Sequence, residues 1–380
     1  MSLKEINIKR LCYLFSFSIC FGLLSPRVTA KPKFSAYAEQ NATHTHCDLD
    51  ELTSMWPYDF TEAFKRSQAW VLSIAAGEKY EKVNLDQSTK LSFRPKSEGS
   101  GIIWGANKFV ITNAHVVKGH KIIRARTYQR QVLKLELVGM HEGLDLAVLK
   151  TNTVDALEQL PSACYTSKLP PIGSWVAAVG HPYSMPFSLS SGVVSAHYRG
   201  RSLKEWTRYF PGFIQSSLTL NPGNSGGPLI NQYGVMLGLN TATRQNAVGM
   251  AFTLPVSRII PLVHQIIMNG GFKRSHLGLS LSELSFLKAQ KAGLKSPKGV
   301  RVKKVRIGGP ASKAGLKKND IILSVNGENF NQVSDLSWRL ISSPPMVPLS
   351  LEVIRYKSGP QRFLVNLVPE IDSIKIKSKK

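Results

Sequence analysis

The sequence predicts a mostly β protein: a double β-barrel followed by a smaller α+β domain. Gly, Pro and short β-rich runs punctuate the upstream half, which is the pattern of barrel strands and their turns. With 380 residues and 43% apolar composition, the chain can bury a substantial core in two domains, which excludes disorder of the whole. Three segments bearing a histidine, an aspartate and a serine fall among the upstream runs, in that order.

The N-terminus reads as a targeting segment. Lys4, Lys9 and Arg10 precede an apolar stretch from Leu11 to Leu24, shorter than the ~20 residues of a comfortable membrane span. Val28-Thr29-Ala30 supplies a small-residue cleavage pattern, so residues 1–30 are expected to be a signal peptide cut after Ala30. An uncleaved inner-membrane anchor is the alternative. Export would remove Cys12 and Cys20 and leave Cys47 and Cys164 in an oxidising compartment, where they form one disulfide or remain two thiols. Residues 31–59 read as an extension. Its His44-Thr45-His46-Cys47-Asp48 run lacks a second cluster at ligand spacing, so no metal is expected. The aromatics of Met55-Trp56-Pro57-Tyr58-Asp59-Phe60 either dock against another surface or cap their own barrel.

Within residues 60–268, a short helix is expected over Thr61–Ala69, followed by a strand over Trp70–Ile74. The polar stretch from Ala76 to Gly99 lacks periodicity and reads as a loop. A second loop, Tyr198 to Gly212, mixes Arg199, Arg201, Lys204 and Arg208 with Trp206, Tyr209 and Phe210. Helical spacing over Ile259–Met268 and the Asn269-Gly270-Gly271 cap close the domain, with residues 269–275 as linker.

The chemistry lies in three places. Leu220-Asn221-Pro222-Gly223-Asn224-Ser225-Gly226-Gly227-Pro228-Leu229 sets a serine between glycines, which permits a sharp turn and close approach of backbone amides to a carbonyl. Ser225 is the candidate nucleophile. Gly223, Asn224 and Ser225 form the candidate oxyanion hole, with the amides of Gly223 and Ser225 as donors. Phe109-Val110-Ile111-Thr112 reads as a buried strand with His115 on the turn beyond it, the candidate base. Asp145 stands just before the apolar run Leu146–Leu149, where its carboxylate can hold the imidazole tautomer. The order His, Asp, Ser is that of chymotrypsin-type barrels.

With Thr112-Asn113-Ala114-His115-Val116-Val117, Asp145-Leu146-Ala147-Val148-Leu149-Lys150 and the Ser225 run, the chain resembles the HtrA (Deg) family of serine endopeptidases. Gly173–Pro182, Ser191–Ala196, Phe213-Ile214-Gln215, Gly238–Ala242 and Gly249–Val256 extend the likeness. The resemblance implies a chymotrypsin-like double six-stranded β-barrel, a periplasmic location, N-terminal segments that assemble trimers, and a sensor role for the loop at 198–212. The residue six before the nucleophile is Thr219, which carries no charge to pair with Lys or Arg. Ile214 and the strand Leu239, Asn240, Thr241 and Ala242 are expected to complete a specificity pocket for small or medium aliphatic residues. One departure stands out: Gln215-Ser216-Ser217-Leu218 replaces the family's Gln-Thr-Asp-Ala and lacks its acid.

Residues 276–370 resemble a single PDZ domain. His276-Leu277-Gly278-Leu279 matches the carboxylate-binding loop and first groove strand, and a helix from about Gln332 to Ile341 supplies the other wall. Gly299–Val302, Pro310–Leu316 and Asn319–Gly327 complete the match. Such a groove adds an extended peptide as a strand. No second copy is visible before the basic tail, 371–380.

The formal charge is +25, which implies attraction to anionic envelope surfaces or reflects a compositional habit of the lineage. No nucleic-acid fold or stacking motif accompanies it, so a nucleic-acid partner is not expected. No cofactor is implied. Two function classes remain: an ATP-independent serine endopeptidase acting on unfolded or misfolded proteins with C-terminal peptides as ligands, and a peptide-binding chaperone or stress sensor with restricted or silenced proteolysis.

Overall fold

The computed structural model describes residues 59–85, 88–151, 157–181, 187–197, 212–243, 249–271, 275–343, 346–356 and 359–371. The expected signal peptide, most of the expected extension with its His44–Asp48 run, residues 198–211 and the tail from 372 lie outside them. All described residues belong to one compact unit, Thr43–Lys380.

Helix α1, Thr61–Gln68, leads into the first barrel. Phe60 and Phe64 at its start pack against the barrel core, so Phe60 caps its own subunit. The barrel closes in the order β1 (Val71–Gly77), β4 (Ser97–Trp104), β5 (Phe109–Thr112), β8 (Leu146–Thr151), β7 (Val132–His141), β6 (Ile122–Arg126). Alternation sets the β1 faces: Leu72, Ile74 and Ala76 are fully buried, while Ser73 and Ala75 face outward. The expected loop between Ala76 and Gly99 is corrected here. It contains a two-stranded ribbon, β2 (Tyr80–Leu85) and β3 (Ser88–Phe93), with Tyr80 paired to Phe93. The connecting pair Asp86-Gln87 carries no glycine signal for a hairpin.

The second barrel closes as β10 (Ser188–Ala196), β11 (Ile214–Ser216), β14 (Ala251–Pro255), β13 (Met236–Thr243), β12 (Pro228–Asn231), β9 (Trp175–Gly180). Phe213 and Phe252, fully buried, meet edge to face with centroids 6.5 Å apart. Trp104 of the first barrel stacks on Tyr165 at 4.6 Å, and one apolar cluster runs through both barrels. After β5 comes a single helical turn, α2 (Ala114–Val117). After β14, α3 (Val256–Asn269) buries Ile259, Leu262, Val263 and Ile266 at helical spacing and stops at Gly270, whose φ of 61° is left-handed.

The C-terminal domain is built on an antiparallel sheet ordered β16 (Leu279–Glu283), β17 (Val300–Val305), β18 (Ile321–Val325), β20 (Leu349–Tyr356), β21 (Pro360–Leu367). Short β19 (Glu328–Asn329) pairs with β18, and β15 (Ser275–His276) pairs with β22 (Glu370–Ile371). Two short helices, α4 (Phe286–Lys291) and α5 (Pro310–Lys313), link the strands. Helix α6, Val333–Ser342, begins with a capping box between Gln332 and Asp335. Its far end docks on α3: Gln265 Nε2 donates to the carbonyls of Ile341 at 3.0 Å and Ser343 at 3.2 Å, and Arg258 lies 4.2 Å over the Trp338 ring.

Candidate active site

The first barrel supplies the candidate base and acid. Helix α2 follows β5 directly, so His115 sits on a one-turn helix rather than a bare turn, with its side chain half exposed. A 3-10 turn, Glu142–Leu144, precedes Asp145 and is capped by His141, whose Nδ1 accepts the Leu144 amide at 3.0 Å. Asp145 itself adopts φ 51°, ψ 44°, a left-handed conformation that aspartate tolerates better than most residues. That backbone turns the carboxylate under the imidazole. Asp145 Oδ2 lies 2.7 Å from His115 Nδ1, and Oδ1 accepts the His115 backbone N–H at 2.9 Å. The carboxylate is buried, and with Nδ1 facing it, Nε2 is the nitrogen left for a substrate-side proton.

The second barrel supplies the serine, and tight packing against β4 of the first barrel fixes its loop. Gly223 has φ 104° and Gly226 φ 83°, and a Cβ on Gly226 would lie 2.2 Å from the Ser100 carbonyl oxygen and 2.4 Å from Thr112 Oγ1. Only glycine fits there. Ser100 donates its N–H to the Ser225 carbonyl at 2.8 Å and its Oγ to the Gly223 carbonyl at 2.7 Å, while Thr112 Oγ1 donates to the Ser100 carbonyl. The Asn224 amide donates to the Asn221 carbonyl at 3.0 Å and so turns back into its own loop. Among the described residues the amides of Gly223 and Ser225, the two expected donors, make no such backbone bond. Among the described residues, Ser225 Oγ forms no hydrogen bond with His115.

Asn113 ties the two halves together. Its Nδ2 donates to the Asp145 carbonyl at 2.8 Å and to Thr241 Oγ1 at 3.0 Å, all of it buried. Neither this bridge nor the role of Ser100 was read from the sequence. Ser100 lies between Gly99 and Gly101, a weak cue that a backbone comes close there.

Of the residues expected to form a specificity pocket, Thr219 is exposed and Ile214 fully buried. Leu239 is in the core, Thr241 is held by Asn113, and Asn240 is tied to the Pro228 carbonyl and to Thr253 Oγ1. The side chain of Ala242 lies outside the described residues. Where the family's acid is missing, Ser217 Oγ accepts the Val193 amide, and the fully buried Ser216 hydroxyl has no partner.

In the C-terminal domain His276 lies in β15, and Leu277 is buried, its carbonyl accepting the Ala311 amide at 3.0 Å. Gly278 has φ 72°, and its carbonyl accepts the Arg306 amide at 2.8 Å. Leu279 opens β16, an edge strand of the sheet, with α6 packed beside it. Cys164 is disulfide-bonded, and its partner lies outside the described residues.

Residues 99–239 match the family described as trypsin-like peptidase domain, and residues 275–367 match the PDZ domain. The chain belongs to the HtrA/Deg family. A probable periplasmic serine endoprotease DegP-like of Hahella chejuensis is 37% identical over 265 residues, 68% of this chain and 55% of the relative. Its counterpart in Pseudomonas savastanoi pv. phaseolicola is 37% identical over 264 residues, 68% of this chain and 53% of the relative. The chain thus spans about half the length of these curated HtrA relatives. Among solved structures, the HtrA-type protease AlgW with tripeptide superposes with TM-score 0.69 at 26% identity, covering 82% of this chain and 97% of that one. AlgW with decapeptide gives TM-score 0.65 at 25% identity, with 82% and 98% covered.

Proposed function

We propose that this chain is an exported, ATP-independent serine endopeptidase that cleaves unfolded or misfolded envelope proteins through an acyl-enzyme. The observation that carries the reading is the double hold of Asp145 on His115, ring and backbone at once, opposite a serine on a glycine turn. His115 Nε2 takes the Ser225 Oγ proton as Oγ attacks the scissile carbonyl carbon. The carbonyl oxygen gains negative charge toward the Gly223 and Ser225 amides. Collapse breaks the C–N bond, and the leaving amine takes the proton from His115. Water, deprotonated by His115, then attacks the acyl carbon, releasing the carboxylate product and returning the proton to Ser225.

The uncharged Thr219 supports cleavage after small or medium aliphatic residues. Because one methylene discriminates by only about 1–3 kcal/mol, the preference is broad. The edge strand β16 beside α6 supports capture of C-terminal peptides by strand addition, and the peptide-bound AlgW structures are consistent with it. The curated relatives are named periplasmic, and no helix among the described residues is long and apolar enough to cross a membrane. Trimeric assembly and attraction of the basic chain to anionic envelope surfaces belong to the same proposal.

A sensor or chaperone with restricted proteolysis has one observation in its favour: Ser225 Oγ is not yet hydrogen-bonded to His115. Such contacts often tighten only with substrate bound. The test compares the wild type with Ser225→Ala on unfolded casein, with and without C-terminal peptides. Cleavage by the wild type, lost at least about a thousandfold in the variant, supports the peptidase. Equal inertness of both under every condition overturns it.

A further inference from the structure

We propose that a cavity of about 790 Å³ on the outer wall of the first barrel binds an acidic peptide segment, whose carboxylates pair with Arg124, Arg126 and Arg130. The floor is the outward face of β1, where Ser73 and Ala75 leave room because they are small. The arginines come from β6 and the turn after it. None of the three pairs with a carboxylate among the described residues, and Glu98, the acid at the rim, has an interaction of its own. Among the described residues these three guanidinium groups share the cavity with one carboxylate, that of Glu98, and their forked donors match carboxylate oxygens. The excess of positive charge suits an anion from outside.

The walls indicate what carries that anion. The Arg124 guanidinium lies 5.5 Å over the Phe93 ring, while Phe187 meets Tyr128 at 5.2 Å and His181 at 3.9 Å, both edge to face. A pocket lined by aromatic rings and guanidinium groups suits a chain that alternates acidic and apolar side chains. Its volume falls in the range of sites that enclose small ligands. His181 lines the same cavity, is over nine-tenths buried, and keeps its Nδ1 without a partner. Burial and the nearby Arg126 charge lower its pKa to about 4, so the ring is neutral and the arginines carry the positive charge.

The inner wall of the cavity leads to the serine loop. The His181 amide donates to Ser100 Oγ at 3.1 Å, and that Oγ donates to the Gly223 carbonyl. An occupant therefore bears on the loop that meets the scissile peptide. This coupling rests on the peptidase reading, whereas the binding itself does not.

The test uses the full chain carrying Ser225→Ala, so that no peptide is consumed. The probe is a peptide of alternating Glu and Phe, N-acetylated and C-terminally amidated to keep it out of a carboxylate-binding groove. The control has Gln for Glu, and phosphatidylglycerol vesicles form a third arm. The Glu peptide should bind at least tenfold tighter than the Gln peptide. Arg126→Gln with Arg130→Gln should abolish that difference, and Arg126→Lys with Arg130→Lys should keep most of it. Equal binding of the two peptides overturns the proposal, as does an unchanged preference in the Gln variant or binding of vesicles alone. With Ser225 restored, a rate change on casein caused by the Glu peptide and absent in the Gln variant extends the site to control. No rate change confines it to binding and overturns the coupling.

Discussion

Ser100 Oγ donates to the carbonyl of Gly223 at 2.7 Å, so a strand of the first barrel holds the Ser225 loop of the second by one buried hydroxyl. The same oxygen accepts the His181 amide. Ser100→Ala removes both bonds and leaves a buried carbonyl and a buried amide unpaired, at a cost of about 1–3 kcal/mol each. The expected outcome is a folded enzyme whose kcat falls roughly 10–100-fold with KM little changed. Steady-state kinetics on a short peptide substrate, beside a thermal melt, separates this from loss of fold.

Asp145→Asn keeps the size of the side chain but presents an amide to His115. The imidazole then adopts the wrong tautomer, and kcat should drop by about 10⁴ at neutral pH. The His115 backbone bond to Oδ1 can persist, so stability should change far less than rate. Parallel activity and denaturant titrations check the contrast.

Gly226→Ala places a methyl group into the Ser100 carbonyl and Thr112 Oγ1 at a left-handed φ. Backbone cannot yield there without moving Ser225. We expect at least about 2 kcal/mol of lost stability and near-complete loss of turnover, read by urea unfolding and casein cleavage.

His181 gives the protein an acid limit. Burial and Arg126 lower its pKa from 6.5 to about 4 in the folded chain. The unfolded chain therefore binds the extra proton between these values, and stability that is full above pH 6.5 declines as pH falls toward 4. His181→Gln should flatten that decline by up to one proton in the slope of unfolding free energy against pH. An unchanged slope would assign the acid limit to other groups.

Cys164 is disulfide-bonded, and of the other cysteines Cys47 is the one that the expected cleavage after Ala30 would leave. A non-reducing digest should recover Cys47 linked to Cys164. Reduction should lower stability by about 2–4 kcal/mol, measured as a fall in Tm.

What the sequence displayed and what it hid follow from distance along the chain. His115, Asp145 and Ser225 each sit in a local pattern of strand, turn or glycine that a short window reveals. Helix α3 announced itself by periodicity and by Gly270 at its end, whereas α6 was expected only from the resemblance to a PDZ domain. The bonds that hold the site were silent, because Ser100 reaches Gly223 across 123 positions and Asn113 reaches Thr241 across 128. A lone Ser or Asn inside a strand carries no mark of its distant acceptor. The β2–β3 ribbon was missed for a local reason: its turn lacks the glycine that signals a hairpin.

Helix α6 is finished by another domain. The carbonyls of Ile341 and Ser343 at its end are capped by the Gln265 amide on α3. Cut away from the barrels, the helix would fray from that end and loosen the wall it presents to β16. An excised C-terminal domain is therefore a weaker receptor than the same residues in the intact chain, and affinities measured on the fragment should be taken as lower bounds.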